Sequence, residues 1–323
     1  MKNIFFLSGE HPELAREEVI ELSKPKSFKL LDRFLIAEHS CKSLEKRLAY
    51  THTIYNFLFE CTPETLESSI KKFNWKKIYK KDFCLRIINE NHYKFQNEKE
   101  LASLIWKNLI KPKVNLKNPS TEITFFVFEN TIICGLLKHR ITKDFNERRP
   151  HLRPALHPTS LHPKLARACI NLTGINNKKS KIADLLCGSG GILIEIGLMG
   201  FRPVGVDNDK GMLWRAGVNL DYFKIKGYKL VCADSTKFKQ KLDYVVSDFP
   251  YGKNTKKAEL SELEKFYLSF LANLRKILVK KAVIIFPDFS DYKTLLKKSK
   301  FRLEKEFTIY IHNSLSRKIC LIS

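Results

Sequence analysis

Lys181-Ile182-Ala183-Asp184-Leu185-Leu186-Cys187-Gly188-Ser189-Gly190-Gly191 runs from a short apolar stretch into a glycine-rich turn, and Ile192-Leu193-Ile194-Glu195 continues from it. The run reads as a strand over 181–186, a tight turn, and a helix over 190–199. Outward from it the alternation continues. A helix at 164–173 comes before it. A strand at 202–206, a helix at 209–220, strands at 229–232 and 242–247 and a helix at 260–278 come after it. An apolar strand at 282–286, a helix at 291–299 and two closing strands at 301–311 and 317–322 complete the half. Alternation of this kind predicts an α/β fold, a mostly parallel sheet with helices on both faces, to which the closing pair adds antiparallel strands.

Upstream, the chain reads as smaller α+β units. Strands are expected at 4–7, 34–37, 83–88 and 122–128, with helices from Leu14 to Leu22, near 42–48 and over 98–110. Six lysines lie between Lys71 and Lys81, among Phe73, Trp75 and Tyr79. From Lys138 to Pro163 the character changes. Lys138, His139, Arg140, Lys143, Arg148, Arg149 and Arg153 crowd a stretch punctuated by Pro150, Pro154, Pro158 and Pro163, which reads as an extended linker with basic side chains turned outward.

Composition narrows the function. Of 323 residues, 58 are Lys or Arg and 34 are Asp or Glu, a net charge of +24 shared by both halves of the chain. Such an excess favours a polyanionic partner, because each cation that meets a phosphate releases a condensed counterion. The eight cysteines show neither Cys-x-x-Cys nor zinc-finger spacing, so no metal is implied and a reducing cytoplasm is expected. The amino terminus has too short an apolar run for a signal peptide, and no stretch approaches a membrane span.

The acidic residues at the strand ends carry the chemistry. Open α/β sheets bind ligands beyond the carboxyl ends of their strands. Asp207 follows the second strand, 23 residues after Asp184, where a carboxylate accepts from both hydroxyls of a ribose. Asp234 follows the third strand, where it can accept from an adenine amino group; either residue could instead cap the next helix. The turn lacks the third glycine of a dinucleotide fingerprint, since Leu193 takes its place. At the end of the fourth strand stands Asp248-Phe249-Pro250-Tyr251-Gly252. A carboxylate and a backbone carbonyl side by side accept the N–H bonds of an exocyclic amino group, which leaves its lone pair free to attack. Pro250 stiffens the turn, Tyr251 offers a face to an extruded base, and Gly252 permits close approach.

These residues resemble the D/N-P-P-Y motif of amino-methylating class I S-adenosylmethionine-dependent methyltransferases. The whole chain resembles the archaeal tRNA guanine-N2 methyltransferases that act on guanosine 10. That resemblance covers Phe6-Leu7-Ser8-Gly9-Glu10-His11-Pro12-Glu13-Leu14, Val114-Asn115-Leu116-Lys117-Asn118-Pro119 and His157-Pro158-Thr159-Ser160-Leu161-His162-Pro163-Lys164-Leu165-Ala166-Arg167. It extends to Gly191-Ile192-Leu193-Ile194-Glu195 and His312-Asn313-Ser314-Leu315-Ser316-Arg317.

The resemblance implies a ferredoxin-like domain over 1–60, a THUMP-like RNA-binding domain over 61–138, the basic linker over 139–163, and a Rossmann-like methyltransferase domain with a mostly parallel seven-stranded sheet over 164–323. It implies that Asp184, Cys187, Gly188 and Gly190 border the methionine part of S-adenosylmethionine. Asp207 would take the ribose and Asp234 with Ser235 the adenine. Thr159, Ser160 and Lys164 would close over the cofactor, while Asp248, Phe249, Pro250 and Tyr251 would hold the guanine. Two positions depart from the family pattern: Phe249 replaces the usual first proline, and Leu185-Leu186 replaces Pro-Phe. The first keeps the backbone carbonyl but predicts a looser turn. The expected protein is a monomer, with a helper subunit left open, that adds one or two methyl groups to tRNA. The alternatives are another tRNA position, rRNA, adenine N6 in DNA, glutamine methylation on a protein, and an RNA-binding protein whose catalytic fold has decayed.

Overall fold

Two seven-stranded sheets organise the chain in a computed structural model that describes residues 1–39, 41, 43–142, 145–157, 160–251, 257–312 and 315–323. The chain divides into one unit of Met1–Gly9, Ser23–Glu45 and Thr51–Thr142, and a second of Glu10–Leu22, Lys46–Tyr50 and Lys143–Ser323. In chain order the elements up to residue 140 are β1 (Lys2–Leu7), α1 (Pro12–Ser23), β2 (Phe28–Leu31), β3 (Phe34–Glu38), β4 (Thr51–Cys61), α2 (Leu66–Lys72), β5 (Cys84–Ile88), α3 (Glu98–Trp106), β6 (Glu122–Val127) and β7 (Ile132–Arg140). After them come α4 (Pro163–Leu172), β8 (Ile182–Asp184), α5 (Gly191–Leu198), β9 (Pro203–Asp207), α6 (Lys210–Tyr222), β10 (Lys229–Cys232), β11 (Leu242–Asp248), α7 (Lys257–Ile277), β12 (Leu278–Pro287), α8 (Tyr292–Lys298), β13 (Leu303–His312) and β14 (Leu315–Ile322).

The first unit's sheet has the order β2-β3-β1-β4-β7-β6-β5, antiparallel except for the β5–β6 pair. Ile70, Trp75, Phe83, Leu101, Ile105 and Phe125 form one of its cores. Strand β7 corrects the sequence reading. Its apolar half, Ile132 to Cys134, is buried against β4 and β6, and the strand runs on through Lys138, His139 and Arg140, which had been read as linker. Arg140 is held by Glu122 of β6 at 2.6 Å, so the charge at this strand end is carried by the strand itself.

The second unit's sheet has the order β10-β9-β8-β11-β12-β14-β13. The first five strands are parallel, and β14 joins β12 antiparallel with β13 as the outer arm of a hairpin. Strand order reverses between β8 and β11, which sets the switch point of the sheet at their carboxyl ends. Val245, Leu271, Leu274, Ile284 and Phe286 fill the core between the sheet and α7. Helix α5 is apolar nearly all round because it is buried nearly all round, and Glu195 lies inside it at 0 % exposure.

That buried carboxylate turns two linker arginines, Arg148 and Arg153, inward, while Arg149 stays exposed as expected. Arg148 and Arg167 donate their Nε groups to the two oxygens of Glu195, each at 2.8 Å, and Arg153 is packed beside them at 5 % exposure. A lone carboxylate inside an apolar helix is costly unless cations meet it, and two arginines are drawn inward to do so. Among the described residues no helix is long and apolar enough to cross a membrane.

Candidate active site

The turn after β8 is wired to both neighbouring strands. Leu185 N–H donates to Ser247 Oγ of β11 at 2.9 Å, and Cys187 N–H to the Val206 carbonyl of β9 at 3.0 Å. Gly188 N–H donates to Asp207 Oδ2 at 2.8 Å. The turn closes with Gly190 N–H on the Cys187 carbonyl at 2.8 Å. Gly190 has φ of 85° and faces Ala216 of α6, where a Cβ would come within 3.2 Å of the Ala216 methyl. Gly188, at φ of 49°, is different: a Cβ there would meet nothing within 4 Å. Its face is open, beside Asp207 and beyond the end of β8.

Asp184 is buried at 2 % exposure and accepts from Leu186 N–H at 3.1 Å. Burial pushes its carboxyl up to about 7, opposed by its hydrogen bonds with Leu186 and Ser247 and aided by the nearby charges of Asp207 and Asp248. Asp207 ends β9 and Asp248 ends β11, the strands on either side of β8. Cys187 is buried, and burial lifts its thiol above the ordinary range. Ser160 reaches the turn from the chain before α4, with its hydroxyl 2.9 Å from that of Ser189.

Asp207 accepts from Gly188 N–H with one oxygen and from Asp209 N–H, at 3.0 Å, with the other. Each carboxylate oxygen retains a second acceptor site. Ala233 N–H donates to the Asp207 carbonyl at 3.0 Å, which keeps the end of β10 beside it. Asp234 behaves as a cap. It accepts from Thr236 N–H at 2.9 Å and Thr236 Oγ1 at 2.7 Å over the single turn Ser235–Lys237, and these bonds lower its carboxyl pKa. Ser235 is buried, its carbonyl accepting from Asn273 Nδ2 at 2.9 Å.

The motif after β11 is anchored by an aromatic box. Phe249 stacks on Tyr267, centroids 4.5 Å apart and planes at 2°, and meets Phe270 and Phe286 edge-on at 4.9 and 4.8 Å. Where the family carries its first proline, Phe249 buries its ring in this box. Tyr267 Oη donates to the Pro250 carbonyl at 2.6 Å. Asp248, 16 % exposed in its side chain, accepts from Tyr251 Oη and lies 3.5 Å from Arg317 Nη2. Arg317 Nε also donates to Tyr251 Oη at 2.7 Å. Burial lifts the Asp248 carboxyl to about 6, with Arg317 and Tyr251 holding it down. The tyrosine hydroxyl is thus committed to the carboxylate, which fixes the ring beside it. Gly252 lies outside the described residues.

Thr159 also falls outside the described residues. The Lys164 ammonium is hydrogen-bonded to Glu10 and lies 4.4 Å from the ring centre of Tyr50. Two arginines join the site that residue reading assigned no role. Arg317 arrives on β14. Arg153 lies against Gly191 at the start of α5, 3.0 Å from where a Cβ would sit. Its Nε is held by the Arg148 carbonyl at 3.0 Å, but its buried Nη1 has no hydrogen-bond partner among the described residues. Burial draws its guanidinium down to about 10. Nothing in a proline-rich basic stretch distinguishes such an arginine from a solvated one. Among the described residues no group of three or more His, Cys, Asp or Glu is placed to hold a metal.

Residues 150–317 match the RMKL-like methyltransferase domain. The tRNA (guanine(10)-N2)-dimethyltransferase of Methanothermobacter thermautotrophicus is 32 % identical, over 100 % of this chain and 99 % of its own. The protein of that name from Pyrococcus abyssi is 29 % identical, over 96 % of this chain and 95 % of its own. The crystal structure of TrmN from Thermus thermophilus superposes with a TM-score of 0.52 at 17 % identity, covering 100 % of this chain and 99 % of that one, a likeness of fold. With its reversed strand order, its glycine turn and its acidic strand ends, the chain belongs to the RMKL-like methyltransferase-domain family, in the branch that the tRNA (guanine(10)-N2)-dimethyltransferases represent.

Proposed function

We propose that the protein transfers methyl groups from S-adenosylmethionine to N2 of guanosine 10 in tRNA, adding one and then a second. The observation that carries this reading is Asp248: a carboxylate at the end of β11, at the switch point of the sheet beside the glycine turn after β8, followed by Phe249 packed in its aromatic box. Full-length relatives named for dimethylation support the second transfer.

The residues present fit the cofactor. Gly188 leaves a cradle that any larger side chain would fill, and Arg153 holds a buried N–H group in need of an anion. Asp207, with acceptor sites left over, suits the ribose hydroxyls. Asp184, Cys187, Gly188, Gly190 and Ser160 would line the methionine part, with Asp234 and Ser235 on the adenine side. When bound, S-adenosylmethionine supplies an electrophilic methyl group whose C–S electron pair stays on sulfur as the new N–C bond forms. In the first transfer Asp248 and the Phe249 carbonyl accept the two N–H bonds of the guanine amino group and so point its lone pair toward that methyl; in the second, the one remaining N–H is held by one of them. The alkylated nitrogen must shed one proton, and the Asp248 carboxylate, lifted to about 6, is suited to take it. Tyr251, clamped through its hydroxyl, keeps its ring as a wall for the flipped base.

The amino-terminal part of the chain, ferredoxin-like over 1–60 and THUMP-like over 61–138 by resemblance, would grip the tRNA, with the net charge of +24 supplying attraction. The protein would act as a monomer in the cytoplasm, a compartment in keeping with its eight free thiols. The test is to incubate the protein with an unmodified tRNA transcript and labelled S-adenosylmethionine, then map the modified nucleotide. Label on N2 of guanosine 10 is expected; label elsewhere, or none, sinks the reading. Asp248→Ala should abolish transfer and leave cofactor affinity within about threefold.

A further inference from the structure

The Phe249 carbonyl stands where the parallel ladder between β11 and β12 runs out. Asp248 pairs with Ile285, and Phe249 N–H donates to the Ile285 carbonyl at 3.0 Å. In a parallel ladder the following rung comes from the partner residue two further on, its N–H donating back to the Phe249 carbonyl. That partner is Pro287, the buried last residue of β12, which has no N–H. The facing is settled on the other side of the strand, where Asp288 N–H donates to the Ser316 carbonyl of β14 at 3.0 Å. Residues 286 and 288 thus turn their polar groups to β14, and 285 and 287 turn theirs to β11.

Proline in a strand with a neighbour on each side forfeits a ladder bond and is uncommon there. Here the forfeited bond is the one that would have occupied the Phe249 carbonyl. The next carbonyl along, that of Pro250, is filled by Tyr267 Oη at 2.6 Å. One acceptor of the turn is closed by a tyrosine, and the other, with a proline opposite it on the adjacent strand, receives no backbone bond among the described residues.

We propose that Pro287 is a positioning residue: by withholding an N–H at this rung, it reserves the Phe249 carbonyl as the acceptor that works beside Asp248 on the substrate amino group. The inference rests on the amino-methylating reading above. Alanine at 287 would present an N–H directly to the Phe249 carbonyl and compete with the substrate for it. The reacting nitrogen would then be held by Asp248 alone.

The test compares Pro287→Ala with a chain carrying lactic acid at 287, introduced by nonsense suppression. The two differ in one atom group, the amide N–H against an ester oxygen, and share the loss of the ring. Single-turnover methylation of the tRNA transcript is measured with cofactor affinity and KM for tRNA. Pro287→Ala should lower the rate about tenfold or more, with cofactor Kd and KM within about twofold. The lactate chain should recover most of that loss. Equal impairment of the two chains, assigning the effect to the ring, overturns the inference, as does a Pro287→Ala chain that turns over at the wild-type rate. A wild-type chain that transfers no methyl to guanine sinks the parent reading and this inference with it.

Discussion

Asp248 and Arg317 lie on strands that are not neighbours in the sheet, yet Arg317 Nη2 stands 3.5 Å from Asp248 Oδ2 across the end of β12. Both side chains are largely withdrawn from water, at 16 % and 12 % exposure, so the guanidinium acts on the carboxylate through a poorly screened gap. Burial alone would favour the neutral acid; Arg317 opposes it and leaves the group near 6. Tyr251 is bound to both, and the three form one unit at the mouth of the motif.

The acid limb of the rate profile follows from this pair. Asp248 accepts from an amino group only when ionised, so the rate should rise with pH and reach half its plateau near the carboxyl's value of about 6. Arg317→Gln removes a charge that favours the ionised form, so the limb should move to higher pH. Single-turnover rates from about pH 5 to 9 check this. A variant profile that is lower but unshifted would show that Arg317 acts by shape alone.

Phe249→Ala should damage the fold before it damages the chemistry. The ring is 2 % exposed and touches Phe266, Tyr267, Phe270 and Phe286. Its removal leaves a cavity under the motif, expected to cost about 3–5 kcal/mol. Urea denaturation measures it, and a loss below about 1 kcal/mol would mean that the box collapses around the gap.

What the sequence reveals of this site is what lies close along the chain. The strand, turn and helix around Gly188 and Gly190 are local, and β8, α5 and the end of β11 fall within a few residues of where periodicity puts them. Arg317 reaches Tyr251 from 66 residues away, through a β14 that inserts between β12 and β13, and no spacing rule announces such a pairing. Arg148 and Arg153 are hidden for a related reason: charge between prolines looks solvated in the sequence, and the buried Glu195 they pack around lies more than 40 residues on. Asp234 shows the opposite limit. A cap and a contact with adenine ask for the same residue at the same place, and the bonds to Thr236, both made to Oδ1, are those of a cap.

Gly188→Ala should separate stability from binding. The backbone at φ of 49° carries a penalty of about 1 kcal/mol for a side chain, which lowers Tm by a few degrees. No neighbour obstructs the methyl, so the free protein should otherwise be unchanged. The same methyl enters the space reserved for the cofactor, and calorimetry should show S-adenosylmethionine affinity reduced about tenfold or more. Unaltered affinity would place the ligand off this face of the turn.

Glu195 and Arg153 sit in one buried cluster, and their removal should act in opposite directions. Glu195 holds Arg148 and Arg167 at 2.8 Å each and is 1 % exposed in its side chain. Glu195→Gln keeps the shape but leaves the buried arginines without their counter-charge, a loss of about 3–5 kcal/mol by the general cost of breaking such pairs. Arg153 shares no carboxylate oxygen with them, and its buried Nη1 is without a partner among the described residues. A buried N–H group lacking a partner weakens the free protein, so Arg153→Met should leave Tm unchanged or raise it. It should also lower S-adenosylmethionine affinity about tenfold or more, because the group that remains unsatisfied in the free protein is the one that suits a carboxylate at the start of α5. Thermal melts with and without cofactor read both effects in one experiment. A variant that loses stability in both conditions, with its cofactor-induced shift intact, would make Arg153 a structural member of the Glu195 cluster and leave the cofactor's carboxylate to another group.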